Sequence, residues 1–312
     1  MGSPTEGLLL SICVCTHNRA ALLPRALNAL VPGLDPARVE VLVVENGSED
    51  ASTIAGGFAA QSTAVRYVHE PKIGLSNARN RGWREARGVY VGYLDDDAVP
   101  RAGWVTTALD LAGEMRFDAF GGPYFAYYDS PTPPWYREEY SSHWQGDVAR
   151  ALNSTEYLDG TNMFVRRQLL EQIGGFDAQL GMRGDTLSYG EETELQNRLR
   201  AAKTGASIYY DPRLVVDHLV PAHKMTLRWI AKSAVVEGRV NRVLFETSSR
   251  RGWRQRALRA LAGLAAAYTV GVLVRDRARY QFAGEYLYEC TLTRCRELGA
   301  ALQQRRDRGS DG

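Results

Sequence analysis

An α/β fold is what this 312-residue sequence predicts: a parallel sheet covered by helices, followed by a wholly helical region. Three observations carry that expectation. Short β-type runs alternate with helix-compatible stretches through the first half of the chain, which implies right-handed βαβ units and a parallel sheet. The runs SICVC and VEVLVVE are apolar nearly throughout, as strands are when helices cover both faces of a sheet. Polar residues gather directly after the runs, where open sheets of this kind bind ligands.

Taken in order, Leu8 to Thr16, Val39 to Glu45, Val65 to Val68 and Val89 to Leu94 read as strands. Thr16-His17-Asn18-Arg19 follows the first, Glu45-Asn46-Gly47-Ser48 the second and Asp95-Asp96-Asp97 the fourth. After Pro100 the pattern becomes irregular. FDAFGGPYFAYY reads as a strand, and SPTPPWYREEYSSHW as a Pro- and aromatic-rich loop where an acceptor could be recognised. A β-type run from Glu156 to Val165 precedes a short helix, a Gly-rich stretch through Gly184 and a helix starting near Gly190. Beyond Pro221 the chain reads as helical to about Ala301, and residues 302–312 as a disordered tail. This places one domain over 1–223, with halves at about 8–100 and 101–223, and a helical region over 224–301.

The length allows a substantial core, and 45% hydrophobic with 24% charged residues excludes wholesale disorder. A net charge of +2 decides nothing, but Arg250 to Arg259 and Arg305 to Arg308 make the last quarter basic. Such a patch suits an anionic lipid surface or an acidic partner, and equally a solvated helix face. Those basic residues are not interleaved with stacking aromatics, which argues against nucleic acid. The four cysteines form no paired CxxC elements, so a zinc site is not expected. Cys13 and Cys15 alternate within an apolar strand as small buried hydrophobes, in keeping with a reducing cytosol. The start MGSPTEG lacks the features of a signal peptide. The uncharged stretch Ala260 to Val274 falls short of a bilayer span and reads as an amphipathic or buried helix. A cytoplasmic protein is expected, with peripheral contact at the inner face of the membrane or a homodimer formed through these helices.

Three adjacent carboxylates at a strand end repel one another unless a cation or hydrogen-bond donors offset the repulsion. A hard divalent ion such as Mg²⁺ or Mn²⁺ takes oxygen from one or two carboxylates plus substrate phosphates. Asp95 and Asp97 share a face of an extended segment and could act together. The competing reading is a solvated acidic turn, or a cap on a helix beginning near Pro100. Glu191 and Glu192 fall in the first turn of their helix, where the backbone dipole alone favours negative charge.

The elements SICVCTHNR, VVENGSED, GLSNARNRG, YLDDDAVP, LDGTNMFVRR with GGFD, and GEETEL before His218 occur in one order from about Leu8 to about His223. Together they resemble the inverting glycosyltransferases of family 2, with the GT-A fold. The resemblance implies a nucleotide-diphosphate sugar as donor, a divalent cation and one general base. Asp95-Asp96-Asp97 resembles the family's DxD motif, with Asp97 as metal ligand, Asp95 serving the ribose or the metal's waters, and Asp96 in support. Glu45 stands where the family commonly has Asp on the donor base. A carboxylate one methylene longer can still accept from a uracil imide, which favours a uracil nucleotide over guanine.

Thr16, Arg19 and Asn46 resemble nucleotide-contacting positions, and Arg79 the arginine near the diphosphate, whose planar fork suits phosphate oxygens. Asp159 and Gly160 resemble the part that touches donor sugar and acceptor. Glu192 corresponds to the base, where the family usually has Asp, with Glu191 orienting it or exchanging roles. His218 matches a further metal ligand, although a lone histidine is more often structural; His223 is the poorer candidate. Trp135, Tyr136 and Trp144 form an aromatic group that could stack on a sugar or pack over the core. Two rival readings stand beside the transferase: a non-catalytic scaffold of the same fold, and a sugar-phosphate nucleotidyltransferase. The second would want a Gly-rich loop after the first strand, where THNRAALLP has no glycine. The acceptor and the donated sugar are not written in the sequence.

Overall fold

The computed structural model describes residues 7–47, 51–245 and 252–310. Strand β1 (Leu10–Thr16) is buried along its whole length, as its unbroken apolar sequence requires. Its side chains divide between two cores. Ile12 and Val14 join Val41 and Val43 on one face, while Cys13 and Cys15 join Leu42 and Val44 on the other. Helix α1 (Leu23–Leu30) begins with Pro at its first turn and buries Leu23, Ala26, Leu27 and Leu30, an i, i+3, i+4, i+7 stripe against the sheet.

The sheet then grows through β2 (Val39–Glu45), α2 (Ser52–Ala59), β3 (Val65–His69), α3 (Leu75–Glu85) and β4 (Tyr90–Asp95). These four strands are parallel to one another, in the order β3-β2-β1-β4. Register brings Thr16 opposite Glu45 and Cys15 opposite Asp95, so the first, second and fourth strands end on one edge.

After β5 (Ala98–Pro100) and α4 (Trp104–Gly113), the expected strand at 117–128 divides into β6 (Ala119–Gly121) and β7 (Tyr124–Tyr127). The short β8 (Arg150–Ala151) leads to β9 (Met163–Arg166) and α5 (Arg167–Ile173). The sheet is not parallel throughout. Strand β9 runs antiparallel to both β4 and β6, so an eight-stranded mixed sheet results. The β-type run expected from Glu156 is strand only from Met163. Gln196 on α6 (Glu191–Ala202) explains the difference: its amide bonds the N–H and C=O of Leu158 at 2.9 Å each, taking the place of a strand partner.

Strand β10 (Ile208–Tyr210) completes the large sheet, and β11 (Val216–Leu219) joins β5 and β7 in a second, three-stranded one. Together these elements form one compact unit, Met1–Tyr127, Ser141–Asp185 and Glu191–Leu219.

The second unit comprises Tyr128–Tyr140, Thr186–Gly190 and Val220–Gly312. Its helices are α7 (Leu227–Phe245), α8 (Trp253–Val274, with a π-helical turn at Ala267–Gly271) and α9 (Ala283–Ser310). Two expectations change here. The tail read as disordered is helical to Ser310, with residues 311–312 outside the described part. The boundary at residue 223 gives way to a helical unit that also takes in 128–140 and 186–190. Aromatic packing accounts for the first addition, because Tyr140 stacks on Tyr288 of α9 with ring centroids 3.6 Å apart. Val240 and Leu244 of α7, packed beside Gly190, account for the second.

Candidate active site

Each polar strand end is held by a different element. Asn46, just past β2, donates at 2.8 Å to the carbonyls of both Glu70 and Lys72, and its Oδ1 accepts from Gly74 N–H at 2.6 Å. One side-chain amide thus fixes the loop that launches α3. Gly74 has φ near +139°, a backbone conformation an L side chain rarely adopts, and so begins that helix at low cost. Glu45 is buried, accepting a hydrogen bond from the Tyr67 hydroxyl and one from Ala51 N–H at 3.4 Å.

The aspartates are partnered unequally. Asp96 is buried, accepting from the Thr16 hydroxyl at 2.7 Å and from Arg19 Nη2 at 2.5 Å. Burial pushes its carboxyl up to about 7, with Arg19 opposing and Asp97 reinforcing that shift. Asp97 lies between two partners: Arg19 Nη1 at 2.8 Å on Oδ2, and His218 Nε2 at 3.2 Å from Oδ1. Register delivers the histidine, because β11 pairs antiparallel with β5 and sets His218 opposite Ala98, the residue after Asp97. Asp95, Asp97 and His218 offer ligand atoms that all lie within 4.8 Å of one another. Two carboxylates and an imidazole suit a divalent cation such as Mn²⁺. The triplet is therefore neither a solvated turn nor a helix cap: Asp96 and Asp97 are buried, and α4 starts only at Trp104.

A second constellation centres on Arg79, buried on α3. Its guanidinium donates to Glu191 Oε1 at 2.9 Å and Asp95 Oδ1 at 3.3 Å. Burial alone would lower its pKa, but Glu191 and then Asp95 outweigh that and raise it. Arg79 thus ties the first turn of α6 to the end of β4. A methyl group at Gly160 would sit 2.7 Å from both terminal nitrogens of Arg79, so only glycine leaves the guanidinium its place. Asp159 and Gly160 lie in a turn ahead of β9, where the Asp159 side chain accepts from Thr161 N–H at 3.0 Å.

Glu192, next to the ion-paired Glu191, is only partly exposed. Withdrawal from water, then the charges of Glu191 and Asp159, hold its carboxyl well above the ordinary range. Its neighbourhood with Asp159 joins this constellation to the turn at Gly160.

The sites expected from the sequence therefore fall into one sheet-edge group, Thr16, Arg19, Asp95, Asp96, Asp97 and His218, joined through Arg79 to Glu191. Ser48 lies outside the described residues. The aromatic group divides: Trp135 and Tyr136 touch edge-on in the helical unit, with centroids 5.6 Å apart, whereas Trp144 belongs to the sheet unit and is 54% exposed. His223 lies in the helical unit, edge-on to Trp229. Gln196 was not foreseen as a site-supporting residue. Its signal was a polar side chain one helical turn beyond Glu192, on a helix that must bury that face.

Residues 11–174 match the profile described as "Glycosyl transferase family 2". Across 83% of this chain and 82% of its own length, the succinoglycan biosynthesis protein ExoM of Rhizobium meliloti is 31% identical. The glucosyl-dolichyl phosphate glucuronosyltransferase of Haloferax volcanii is 22% identical over 75% of this chain and 76% of its own. Among solved structures, the mannosyltransferase PcManGT from Pyrobaculum calidifontis, in complex with GDP-Man and Mn²⁺, superposes with a TM-score of 0.64. It is 17% identical and covers 97% of this chain and 89% of that one. GalNAc-T7 with UDP, GalNAc and Mn²⁺ gives a TM-score of 0.54 at 15% identity, over 74% of this chain and 48% of that one. The chain belongs to glycosyltransferase family 2, an enzyme family, and its sheet unit has the GT-A fold.

Proposed function

We propose that this enzyme transfers a sugar from a uridine-diphosphate sugar to an acceptor nucleophile with inversion at the anomeric carbon, Glu192 acting as general base. The observation that carries the reading is the pairing of two acidic groups joined through Arg79. One, with His218, has the donor set for a divalent cation; the other contains a carboxyl of raised proton affinity beside a carboxylate already neutralised.

Asp95, Asp97 and His218 would hold the cation, Mn²⁺ or Mg²⁺. When bound, it offsets the negative charge that develops on the departing diphosphate. Arg19 occupies Oδ2 of Asp97, which turns Oδ1 toward His218. Arg79 is engaged with Asp95 and Glu191, which supports a positioning role: it fixes the distance between the diphosphate end and the base. Glu191 is held by Arg79 at 2.9 Å, which supports an orienting role for it. Arg79 acts on Glu192 too, but burial and the charges of Glu191 and Asp159 outweigh it and raise the proton affinity of Glu192, which favours it as base. Attack from the face opposite the leaving group inverts the anomeric centre and needs only one base. Glu45 offers the carboxylate that a uracil imide N–H would meet.

Thermal shift and slow hydrolysis with a panel of nucleotide sugars, each with Mn²⁺ or Mg²⁺, test this. A UDP-sugar should stabilise the protein only with metal, Asp97→Ala should lose the effect, and Glu192→Gln should bind without turnover. Stabilisation by a GDP-sugar alone would overturn the uracil assignment. No stabilisation by any donor would overturn the site.

A further inference from the structure

Two arginines serve the sheet edge, and they are held in different ways. The Arg79 side chain is 4% exposed, between Glu191 and Asp95, with the rings of Phe176 and Tyr93 centred 5.5 and 5.9 Å from its guanidinium carbon. Even a methyl group at Gly160 would strike it, so Arg79 has no room to move. Arg19 bridges the neighbouring carboxylates of Asp96 and Asp97 at 2.5 and 2.8 Å from a side chain that is 47% exposed. It stands on the loop after β1, next to Asn18 at φ +50°, and its side chain caps no helix. Two charge-assisted bonds hold its head, and one face of it meets solvent.

That bridge bears on what the edge can bind. Asp97 presents Oδ2 to Arg19 and Oδ1 toward His218, and the same aspartate belongs to the set with Asp95 and His218 that suits a divalent cation. A guanidinium on a ligating carboxylate drains its charge and repels the cation beside it. The oxygens of a diphosphate, by contrast, match the planar fork of arginine as well as two carboxylates do. Release from the aspartates is feasible, because each keeps another contact. Asp96 retains the Thr16 hydroxyl at 2.7 Å, and Asp97 retains His218 at 3.2 Å, so neither buried carboxylate is stranded.

We propose that Arg19 couples the two ligands of the sheet edge: it exchanges Asp96 and Asp97 for the diphosphate of the donor, and in doing so yields Asp97 to the divalent cation. This rests on the assignment of metal and diphosphate to that edge. The cation then binds weakly by itself and tightly beside a nucleoside diphosphate, and linkage requires the nucleotide to gain from the cation by the same factor. Arg79 stays in place throughout and positions; Arg19 moves and couples.

Titration of the full chain with Mn²⁺, followed by the paramagnetic resonance signal of unbound Mn²⁺, tests the proposal with and without UDP, and with GDP in parallel. UDP should tighten Mn²⁺ binding by the wild type about tenfold or more. Arg19→Gln should bind Mn²⁺ alone about tenfold more tightly than the wild type, since an opposing unit charge is gone. UDP should then add about threefold or less, the diphosphate having lost its fork. A residue with a merely structural role would not raise metal affinity when removed. Arg19→Lys keeps the charge without the fork, so it should bind Mn²⁺ alone as the wild type does, with a UDP effect between the other two. Thermal unfolding of each variant establishes that it is folded.

Mn²⁺ binding unchanged or weakened in Arg19→Gln with the UDP effect intact would make Arg19 a fixed counter-charge and overturn the proposal while leaving the metal site standing. Arg19→Lys behaving as Arg19→Gln would overturn it too, because charge would not be what opposes the cation. Coupling by GDP and not by UDP would overturn the uracil assignment and keep the role of Arg19. No Mn²⁺ binding by wild type or variants, with either nucleotide, would overturn the assignment of Asp95, Asp97 and His218 and this proposal with it.

Discussion

The sheet edge and helix α8 are both rich in charge, and they handle it in opposite ways. At the edge, Asp96, Asp97, Arg79 and Glu191 are each no more than 5% exposed, and each meets an opposite charge. Along α8, where no acidic residue stands between Trp253 and Arg275, leucines are left in solvent beside arginines. Buried charge survives only when paired, so the edge is closed by its own contacts and geometry decides what it does. Charge that stays in solvent tolerates loose geometry, so α8 does not depend on exact pairing as the edge does. Substitutions should accordingly behave differently in the two places: large and coupled at the edge, modest and additive on α8.

The largest effect expected is at Glu192. Glu192→Gln should lower kcat by roughly 10²–10⁴-fold in a transfer assay with donor binding kept. The wild-type rate should rise with pH along a limb above the ordinary glutamate pKa of about 4.3, because the base must first lose its proton. Stability should run the other way. A carboxyl whose folded pKa is raised contributes stability below its unfolded pKa and loses it as pH rises through the folded value. Urea unfolding of wild type against Glu192→Gln should therefore show the variant gaining relative stability between weakly acid and weakly alkaline pH. If Glu191→Gln instead loses turnover with its fold intact while Glu192→Gln keeps it, the two glutamates exchange roles.

The next effect is expected at Gly160. Gly160→Ala puts a methyl group 2.7 Å from a guanidinium pinned between Asp95 and Glu191. Overpacking of this kind costs about 1–3 kcal/mol, which thermal unfolding would register. Turnover should fall about tenfold or more, since a misplaced positioning group of this kind can cost up to about a hundredfold. Arg79→Lys, with a slimmer head, should restore part of the stability in the Gly160→Ala background but not the rate. Full activity in Gly160→Ala alone would show that the Arg79 bridge is not what sets the site.

What the sequence made legible follows from the same contrast. The ends of β1, β2 and β4 were readable because apolar runs stop where polar ones begin, and a parallel sheet then brings those ends together without further information. Helix α6 was readable from its acidic first turn. The turn at Asp159 and Gly160 was misread as strand because LDGTNMFV has the composition of one, while the deciding contact, Gln196 to Leu158, joins residues 38 apart. The bridge from Arg79 to Glu191 spans 112 residues and leaves no local trace. The polar, arginine-rich end of α9 resembled a disordered tail because its helix is held by packing: Ala300 and Ala301 are buried, and Gly299 lies against the Val235 carbonyl of α7.

The smallest effect expected is at Tyr67, and it bears on which nucleotide the edge accepts. Its hydroxyl donates to Glu45 Oε2 from a ring that is 38% exposed, so the bond itself contributes toward the low end of about 0.5–1.5 kcal/mol. Tyr67→Phe should therefore scarcely move the unfolding midpoint. If Glu45 receives the donor base, the loss of one of its fixed donors frees the carboxylate to turn, and donor KM should rise about threefold with kcat unchanged, since uniform binding alone is lost. A shifted midpoint with unchanged KM would make the bond a strand-edge contact only. Glu45→Asp then separates length from charge: shortening the carboxylate should weaken a UDP-sugar further if the imide contact depends on the extra methylene, and should leave it unchanged if the base is held elsewhere.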